Sequence, residues 1–205
     1  KNSFCYIFTN RYIKKMKKVL IVFYSEKGST QKMAIEISNG VNSISGVEAV
    51  IRTVPVKEEE ENNIANENDF IYATVEDVNT CDAMIIGSPT HFGNMSSHLK
   101  FFLEKLTTVW FNGGLEGKPG GVFTSSNSIH GGQETTLITM MIPLLHLGMI
   151  ICGLPYSEKT LNKTLTGGTP YGPSHVEANQ SNNLSEDEIK LCKLLGKRIA
   201  SLVVK

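Results

Sequence analysis

The stretch "VLIVFYSEKGSTQKMAIEIS", residues Val19–Ser38, decides the fold of this chain. The apolar and β-branched run at its start stops at a short polar segment that contains one glycine, Gly28. Met33, Ile37 and Val41 then follow at intervals of four, which is the spacing of one face of a helix. The sequence therefore predicts a strand, a tight loop and a helix.

Apolar runs bounded by turn residues recur along the chain, with helical patterns between most of them. The predicted strands are Val19–Tyr24, Val47–Val54, Ala83–Gly87, Gly121–Thr124 and Met149–Cys152. Continuous apolar runs are typical of parallel strands that are covered on both faces. The order predicts an α/β fold, namely a doubly wound five-stranded parallel sheet with helices on both faces. Ligands of such sheets bind beyond the carboxyl ends of the strands.

Three further helices are predicted from apolar spacing and capping residues. The first has an apolar side formed by Leu99, Phe102, Leu103 and Leu106. The second covers Thr135–Leu147, and Pro143 can kink it. The last begins at Ser185, where Glu188 completes a capping box, and its apolar side is formed by Ile189, Cys192, Leu195, Ile199 and Leu202. The two long connections are predicted to be loops. Lys57–Asn79 is expected to be a solvated surface insertion, and Gly167–Leu184 a functional or disordered segment.

Length and charge limit the possible classes of protein. At 205 residues, the chain is expected to form a single domain over residues 16–205, preceded by a basic, dispensable or disordered extension over residues 1–15. The 20 basic and 20 acidic residues balance, so nothing indicates a nucleic-acid partner. No apolar run reaches the roughly 20 residues of a membrane span.

The cysteines give a further expectation. Cys5, Cys81, Cys152 and Cys192 show neither CxxC pairing nor the spacing of metal ligands. We therefore expect free thiols, no bound metal and a reducing, cytoplasmic location.

The loop after the first strand has the features of an anion site. Unpaired backbone N–H groups at a helix start carry partial positive charge, and Ser25, Ser29 and Thr30 add hydroxyl donors. The loop is neither a Walker A motif nor GxGxxG. A neutral cradle of this kind suits a phosphate monoester held without magnesium, although a plain strand-to-helix turn uses the same residue types.

The loops after the third and fourth strands favour a flat ligand. "GSPTHFGNM", Gly87–Met95, offers a hydroxyl at Thr90 and an aromatic surface at Phe92. "FTSSNSIHGGQETT", Phe123–Thr136, offers small polar residues and paired glycines. A phosphate at the first loop and a planar, hydrogen-bonding ring between the other two describe flavin mononucleotide (FMN). His146 and the single tryptophan, Trp110, are the remaining side chains of chemical interest.

Several motifs together resemble a known family. "YSEKGST", "GSPTHFGNMSSHLKFFLE", "GKPGGVFTS", "GGQETT", "LLHLGM" and "GGTPYG" occur in this order. The combination is similar to the flavodoxin-like NAD(P)H:quinone oxidoreductases of the tryptophan-repressor-binding-protein (WrbA) type, from about Lys18 to Gly172 and again over the last helix. Lys27, Ser29, His91 and Leu147 depart from the residues common in that family, and the sequence does not choose between NADH and NADPH.

The resemblance implies bound FMN, NAD(P)H and a quinone as substrates, and a homotetramer built as a dimer of dimers. It places the cofactor against Ser25, Glu26, Lys27, Gly28, Ser29, Thr30, Pro89, Thr90, His91, Phe92, Gly93, Ser125, Ser126, Asn127, Ser128, Gly131 and His146. His146 and Trp110 are the implied catalytic residues. Phe92, Trp110 and Tyr156 are the implied walls of the substrate pocket, in part from neighbouring subunits.

The expected activity is the two-electron reduction of a quinone to a hydroquinone in a ping-pong cycle, with the redox chemistry supplied by the cofactor. Two other functions stay open: an electron carrier of the flavodoxin type, and an FMN-bound interaction protein without turnover. The modest acidic excess that remains without residues 1–15 and the long Gly167–Leu184 connection argue against the carrier.

Overall fold

The computed structural model describes residues 15–55, 70–177 and 183–205. The strands are β1 Lys17–Phe23, β2 Val47–Thr53, β3 Ala83–Pro89, β4 Pro119–Ser126, β5 Ile150–Ile151 and β6 Ser174–Val176. The helices are α1 Ser29–Asn42, α2 Val75–Thr80, α3 Ser97–Glu104, α4 Thr107–Phe111, α5 Gln133–His146 and α6 Glu186–Val203, with a 3-10 turn at Lys159–Asn162. Residues 1–14 of the predicted extension lie outside the described residues.

The strands form one parallel sheet in the order β2-β1-β3-β4-β5. This order confirms the predicted doubly wound α/β fold, which is flavodoxin-like. Strand β2 is added on one side of β1, and β3, β4 and β5 are added in turn on the other side. The order of strands therefore reverses between β1 and β3, where Phe23 lies opposite Gly87 near the carboxyl ends. A crevice therefore opens at these ends, as expected at the point where strand order reverses.

Apolar layers cover both faces of the sheet. One face packs against α1 and α6 through residues such as Ile21, Met33 and Leu195, all of them fully buried. The other face packs against α2, α3, α4 and α5. Helices α1 and α6 touch backbone to backbone, since a Cβ added at Gly196 would lie 2.1 Å from the carbonyl oxygen of Ile37.

The fifth position of the sheet differs from the prediction. Only Ile150–Ile151 of the predicted strand pairs with the start of β4, while β6 pairs in parallel with its end, Ser125 opposite His175. The whole segment Gly167–Leu184 was predicted to be a loop, and this prediction is wrong for Ser174–Val176, which form β6. The polar run "SHV" is a strand because both its neighbours supply partners: β4 through the backbone, and α6 through a side chain described below.

The prediction of a surface insertion over Lys57–Asn79 is only partly tested, because residues 56–69 lie outside the described residues. Its last part is wrong. Tyr72 and Val78 are buried, and α2 begins there with Thr74 and Asp77 forming a capping box. The capping box predicted at Ser185 and Glu188 is present. No helix within the described ranges is long and apolar enough to cross a membrane.

Candidate functional site

A cleft of about 450 Å³ opens at the carboxyl ends of β1, β3 and β4. Its walls are Ser25, Glu26, Lys27, Ser29, Thr30, Pro89, Thr90, His91, Phe92, Ser125, Ser126, Asn127, Ser128, Gly131 and Glu177. Every one of these residues except Glu177 belongs to the predicted cofactor-binding set. The structure therefore brings the three predicted loops together into one site, with a volume in the range of small-molecule pockets.

The loop between β1 and α1 is shaped for an anion. Gly28 precedes α1 with φ of +92°, a left-handed conformation that favours glycine. The Ser25 hydroxyl oxygen accepts hydrogen bonds from the N–H groups of Gly28 and Gln31, at 3.1 Å and 3.3 Å. No acidic side chain lies in the first turn of α1. The partial positive charge at this end of the helix is therefore not neutralised by a carboxylate in the same turn.

Two hydroxyls near this helix start have different surroundings. Thr30 Oγ1 lies 2.9 Å from Ser125 Oγ, which ties α1 to the end of β4. Ser29 Oγ is buried and has no hydrogen-bond partner among the described residues. A buried hydroxyl without a partner costs free energy unless a ligand supplies one. The phosphate group of FMN fits this donor, together with the unpaired N–H groups of the first helical turn.

The loop after β3 exposes an aromatic ring. The N–H of His91 donates to the carbonyl of Asn94 at 2.8 Å, and the N–H of Asn94 donates back at 3.1 Å. The two central residues of this turn, Phe92 and Gly93, have φ of +54° and +76°. Phe92 is therefore in a strained conformation for a non-glycine residue, and its side chain is fully exposed at the cleft rim.

The loops after β3 and β4 form one continuous wall. Thr90 Oγ1 lies 2.6 Å from Thr136 Oγ1 and 3.3 Å from the carbonyl oxygen of Gly131. A Cβ added at Gly132 would lie 3.0 Å from the Cα of Gly93, so only small residues permit this contact. The wall is thus held in place before any ligand binds.

The buried ring of Tyr24 packs against two histidines, His98 and His91. The ring of Tyr24 stacks on His98 at 4.3 Å between centroids and meets His91 edge-on at 6.3 Å. Burial raises the pKa of the Tyr24 phenol, and the nearby Glu26 carboxylate raises it further. Tyr24 is therefore a neutral packing partner for His91.

Five predicted site residues do not line the cleft. Gly28 and Gly93 shape its loops through their backbone. His146 and Trp110 line a different, mainly apolar hollow of about 460 Å³ between α4 and α5, which shares no lining residue with the cleft. Tyr156 is exposed and lines neither. Within one copy of the chain, then, the implied catalytic residues are not beside the implied cofactor site.

Sequence reasoning missed Glu177 and the buried pair His175–Glu188. Glu177 directly follows β6, so its place in the cleft depends on a strand that the polar sequence did not predict. His175 Nδ1 lies 2.9 Å from Glu188 Oε2, and both side chains are 1% exposed. The capping-box motif did locate Glu188, but nothing in the sequence linked it to His175.

Glu188 joins three segments behind the cleft. Its carboxylate accepts the N–H groups of Gly167, Val176 and Ser185, at 2.9, 3.2 and 2.8 Å. Because an ionised carboxylate only accepts, Nδ1 of His175 is the donor in their bond. Burial raises the pKa of the Glu188 carboxyl, but these hydrogen bonds outweigh burial, so its pKa lies below the ordinary value.

The described cysteines, Cys81, Cys152 and Cys192, are free, as predicted, and all three are buried. Cys5 lies outside the described residues. Burial raises the pKa of the Cys81 thiol to about 11. A thiol in this state is a poor nucleophile. None of the three described cysteines lines the cleft.

Comparison with known proteins gives a consistent family. Residues 16–157 match the family model described as NADPH-dependent FMN reductase. A NAD(P)H dehydrogenase (quinone) of Syntrophobacter fumaroxidans is 41% identical over 200 residues, covering 92% of this chain and 98% of the relative. A protein of the same name from Geobacter metallireducens is 40% identical with the same coverage.

Among solved structures, the flavodoxin-like, WrbA-like protein of Agrobacterium tumefaciens superposes with a TM-score of 0.65. It is 22% identical, and the match covers 92% of this chain and 98% of that one. This likeness supports the fold. The sequence relatives confirm the family resemblance that the motifs indicated.

Proposed function

Because the chain belongs to the NADPH-dependent FMN reductase family, we propose that it is an FMN-dependent NAD(P)H:quinone oxidoreductase. The single observation that carries the proposal is the cleft, whose walls are almost entirely the residues expected to hold FMN. The names of the sequence relatives supply the substrate class, a quinone reduced with NAD(P)H.

The proposed cofactor contacts follow from the donors in the cleft. The N-terminus of α1 and the Ser29 hydroxyl bind the phosphate, and Thr30 and Ser125 hold the helix start against β4. Thr90, His91 and Phe92 border one side of the ring, and Ser125, Ser126, Asn127, Ser128 and Gly131 the other. When bound, FMN supplies the capacity to accept a hydride and return two electrons.

The substrates use the open side of the cleft in turn. NAD(P)H gives up a hydride and leaves as the oxidised nucleotide, and the quinone then takes up two electrons and two protons to become a hydroquinone. Phe92 offers both planar substrates an exposed aromatic face at the rim, which favours flat molecules of many kinds. Alternating use of one position is the basis of the proposed ping-pong order.

We further propose that the working form is a homotetramer, a dimer of dimers, in which Trp110, His146 and Tyr156 act from neighbouring copies. The hollow that contains Trp110 and His146 lies on a face with many exposed apolar side chains. A second copy of the chain that covers this face would bring the hollow to another copy's cleft. His146 is the proposed hydrogen-bond donor to the quinone oxygen. The buried free thiols suit a cytoplasmic location.

A steady-state assay tests the proposal directly. The protein is incubated with FMN, desalted, and mixed with benzoquinone and either NADH or NADPH. We expect retained flavin, oxidation of at least one nucleotide, and parallel lines in double-reciprocal plots at several quinone concentrations. A colourless desalted protein, or a yellow one that oxidises neither nucleotide, contradicts the proposal. Intersecting lines contradict the ping-pong order alone.

A further inference from the structure

Glu177 is an acidic residue in the cleft whose backbone is held by β4 and whose side chain has no partner among the described residues. Its N–H donates to the carbonyl of Ser126 at 2.8 Å, which extends the pairing of β6 with β4 by one residue. The preceding residue, Val176, is held by the Glu188 carboxylate. Within the described ranges, no hydrogen bond or ion pair engages the Glu177 side chain, which is half-buried.

The chemistry of a carboxylate narrows what it can bind in this cleft. At neutral pH it accepts hydrogen bonds and donates none. The phosphate of FMN is an anion and repels it. The flavin ring presents mostly acceptor atoms along its polar edge, with one N–H donor between two carbonyl oxygens. The hydroxyl groups of the ribityl chain are hydrogen-bond donors that have no such carbonyl oxygens beside them to repel a carboxylate.

The position of Glu177 in the sheet points to the same part of the ligand. Ser126 is adjacent to Ser125, and Ser125 is hydrogen bonded to Thr30 in the first turn of α1, the proposed phosphate site. The ribityl chain is joined directly to the phosphate. Glu177, which is hydrogen bonded to Ser126, is thus one residue along β4 from this contact, and β6 lies on the side of β4 away from β3.

We propose that the Glu177 carboxylate accepts hydrogen bonds from the ribityl hydroxyls of FMN and makes the cleft selective for flavins that carry this polyol. The proposal rests on the proposed function, because it requires that the cleft binds FMN. It gives a role to the one lining residue that the family resemblance does not explain.

Three flavins separate the possible contacts. FMN has ring, polyol and phosphate, riboflavin lacks the phosphate, and lumiflavin lacks both polyol and phosphate. The dissociation constant of each is measured by fluorescence titration of the flavin-free protein, for the wild type, Glu177→Ala and Glu177→Gln. Glu116→Ala is the matched control, since Glu116 is exposed beside the opposite, amino end of β4.

We expect Glu177→Ala to weaken riboflavin binding by about tenfold or more, as for loss of a hydrogen bond to a charged group. FMN binding should also weaken, by a smaller factor, because loss of the carboxylate also removes its repulsion of the phosphate. Lumiflavin affinity should not change, and Glu177→Gln, which keeps one acceptor, should have a smaller effect. Glu116→Ala should behave as the wild type with all three flavins.

Other outcomes overturn the inference. Loss of lumiflavin affinity would place Glu177 on the ring, and tighter FMN binding by Glu177→Gln without a change for riboflavin would place it against the phosphate. Unchanged affinities would show that the carboxylate contacts none of these groups. If the wild type binds FMN in these cases, only this inference fails; if it binds no flavin, the proposed function fails with it.

Discussion

The Ser29 hydroxyl is the residue whose surroundings most directly indicate a ligand. It is buried, lines the cleft and has no hydrogen-bond partner among the described residues. If a phosphate oxygen accepts a hydrogen bond from this hydroxyl, Ser29→Ala should weaken FMN binding by about tenfold, because hydrogen bonds to charged groups are stronger than those between neutral groups. Fluorescence titration of the flavin-free protein with FMN measures the change.

Riboflavin and a second serine provide the controls for Ser29. Riboflavin has no phosphate, so its affinity should be the same for the wild type and Ser29→Ala. Ser38 lies farther along α1, and its hydroxyl donates to the carbonyl of Ile35 at 2.7 Å. Ser38→Ala should therefore leave FMN affinity unchanged. An equal loss for riboflavin and FMN would contradict the phosphate assignment.

Single residues also show where sequence reasoning stops. Ser25, Ser29 and Thr30 were predictable because a helix start after a buried strand has unpaired N–H groups whatever surrounds it. Glu177 was not predictable, because its side chain reaches the cleft only through the pairing of β6 with β4. That pairing depends on contacts between residues distant in sequence.

At the level of elements, the Glu188 carboxylate holds β6, the turn at Gly167 and the start of α6 together. Its pKa is lower in the folded protein than in the unfolded chain. Stabilisation from this group is therefore fully present above the unfolded value near 4.5, and is lost as the pH falls through the lower folded value. Acid should therefore weaken the contacts that hold β6, the turn at Gly167 and the start of α6 together.

Glu188→Gln tests this linkage. The amide keeps one acceptor but places an NH₂ group among N–H donors, so we expect about 3 kcal/mol lower free energy of unfolding at pH 7. Urea unfolding at pH 7 and pH 3.5, values chosen roughly on either side of the ordinary carboxyl pKa, should show a smaller loss on acidification than in the wild type. Glu116→Gln, which changes an exposed carboxylate, is the control. An unaltered pH dependence in Glu188→Gln would refute the linkage.

The strands that the sequence predicted well are those that are buried without interruption. Val19, Ile21 and Ile85 lie in strands covered on both faces, and their apolar runs are sufficient to identify those strands. β6 and the residues before α2 fail this test. The two polar residues of β6 are buried because each has a partner outside the strand: the Ser174 hydroxyl oxygen accepts from the N–H of Gly168, and His175 is bonded to Glu188 of α6.

At the scale of the whole molecule, the cleft of one copy of the chain is separate from the hollow that contains Trp110 and His146. The doubly wound topology determines this arrangement, because α4 and α5 cover the sheet face while the cleft lies at the strand ends. The sequence could identify these residues by resemblance alone. Where they act depends on assembly, which a single chain does not specify.

The apolar face that carries Trp110 and His146 provides the test of assembly. Ile142 lies in this hollow and is 50% exposed, beside Leu145 at 58%. Isolated apolar side chains are common on protein surfaces, but a contiguous group around a hollow indicates an interface. Ile142→Asp would bury an unpaired charge between copies, and we expect the association constant to fall by about 100-fold or more.

Light scattering during size-exclusion chromatography measures this loss of assembly. The Ile142→Asp protein should still bind flavin, because one copy supplies all the lining residues of the cleft, while kcat/KM for the quinone should fall together with the mass. Ile35→Asp makes the same change at an exposed position of α1 on the opposite face of the sheet and should alter neither. A wild type that is monomeric, or an assembled Ile142→Asp protein, would refute this interface. A monomeric variant with full quinone turnover would instead show that Trp110 and His146 do not act from a neighbouring copy.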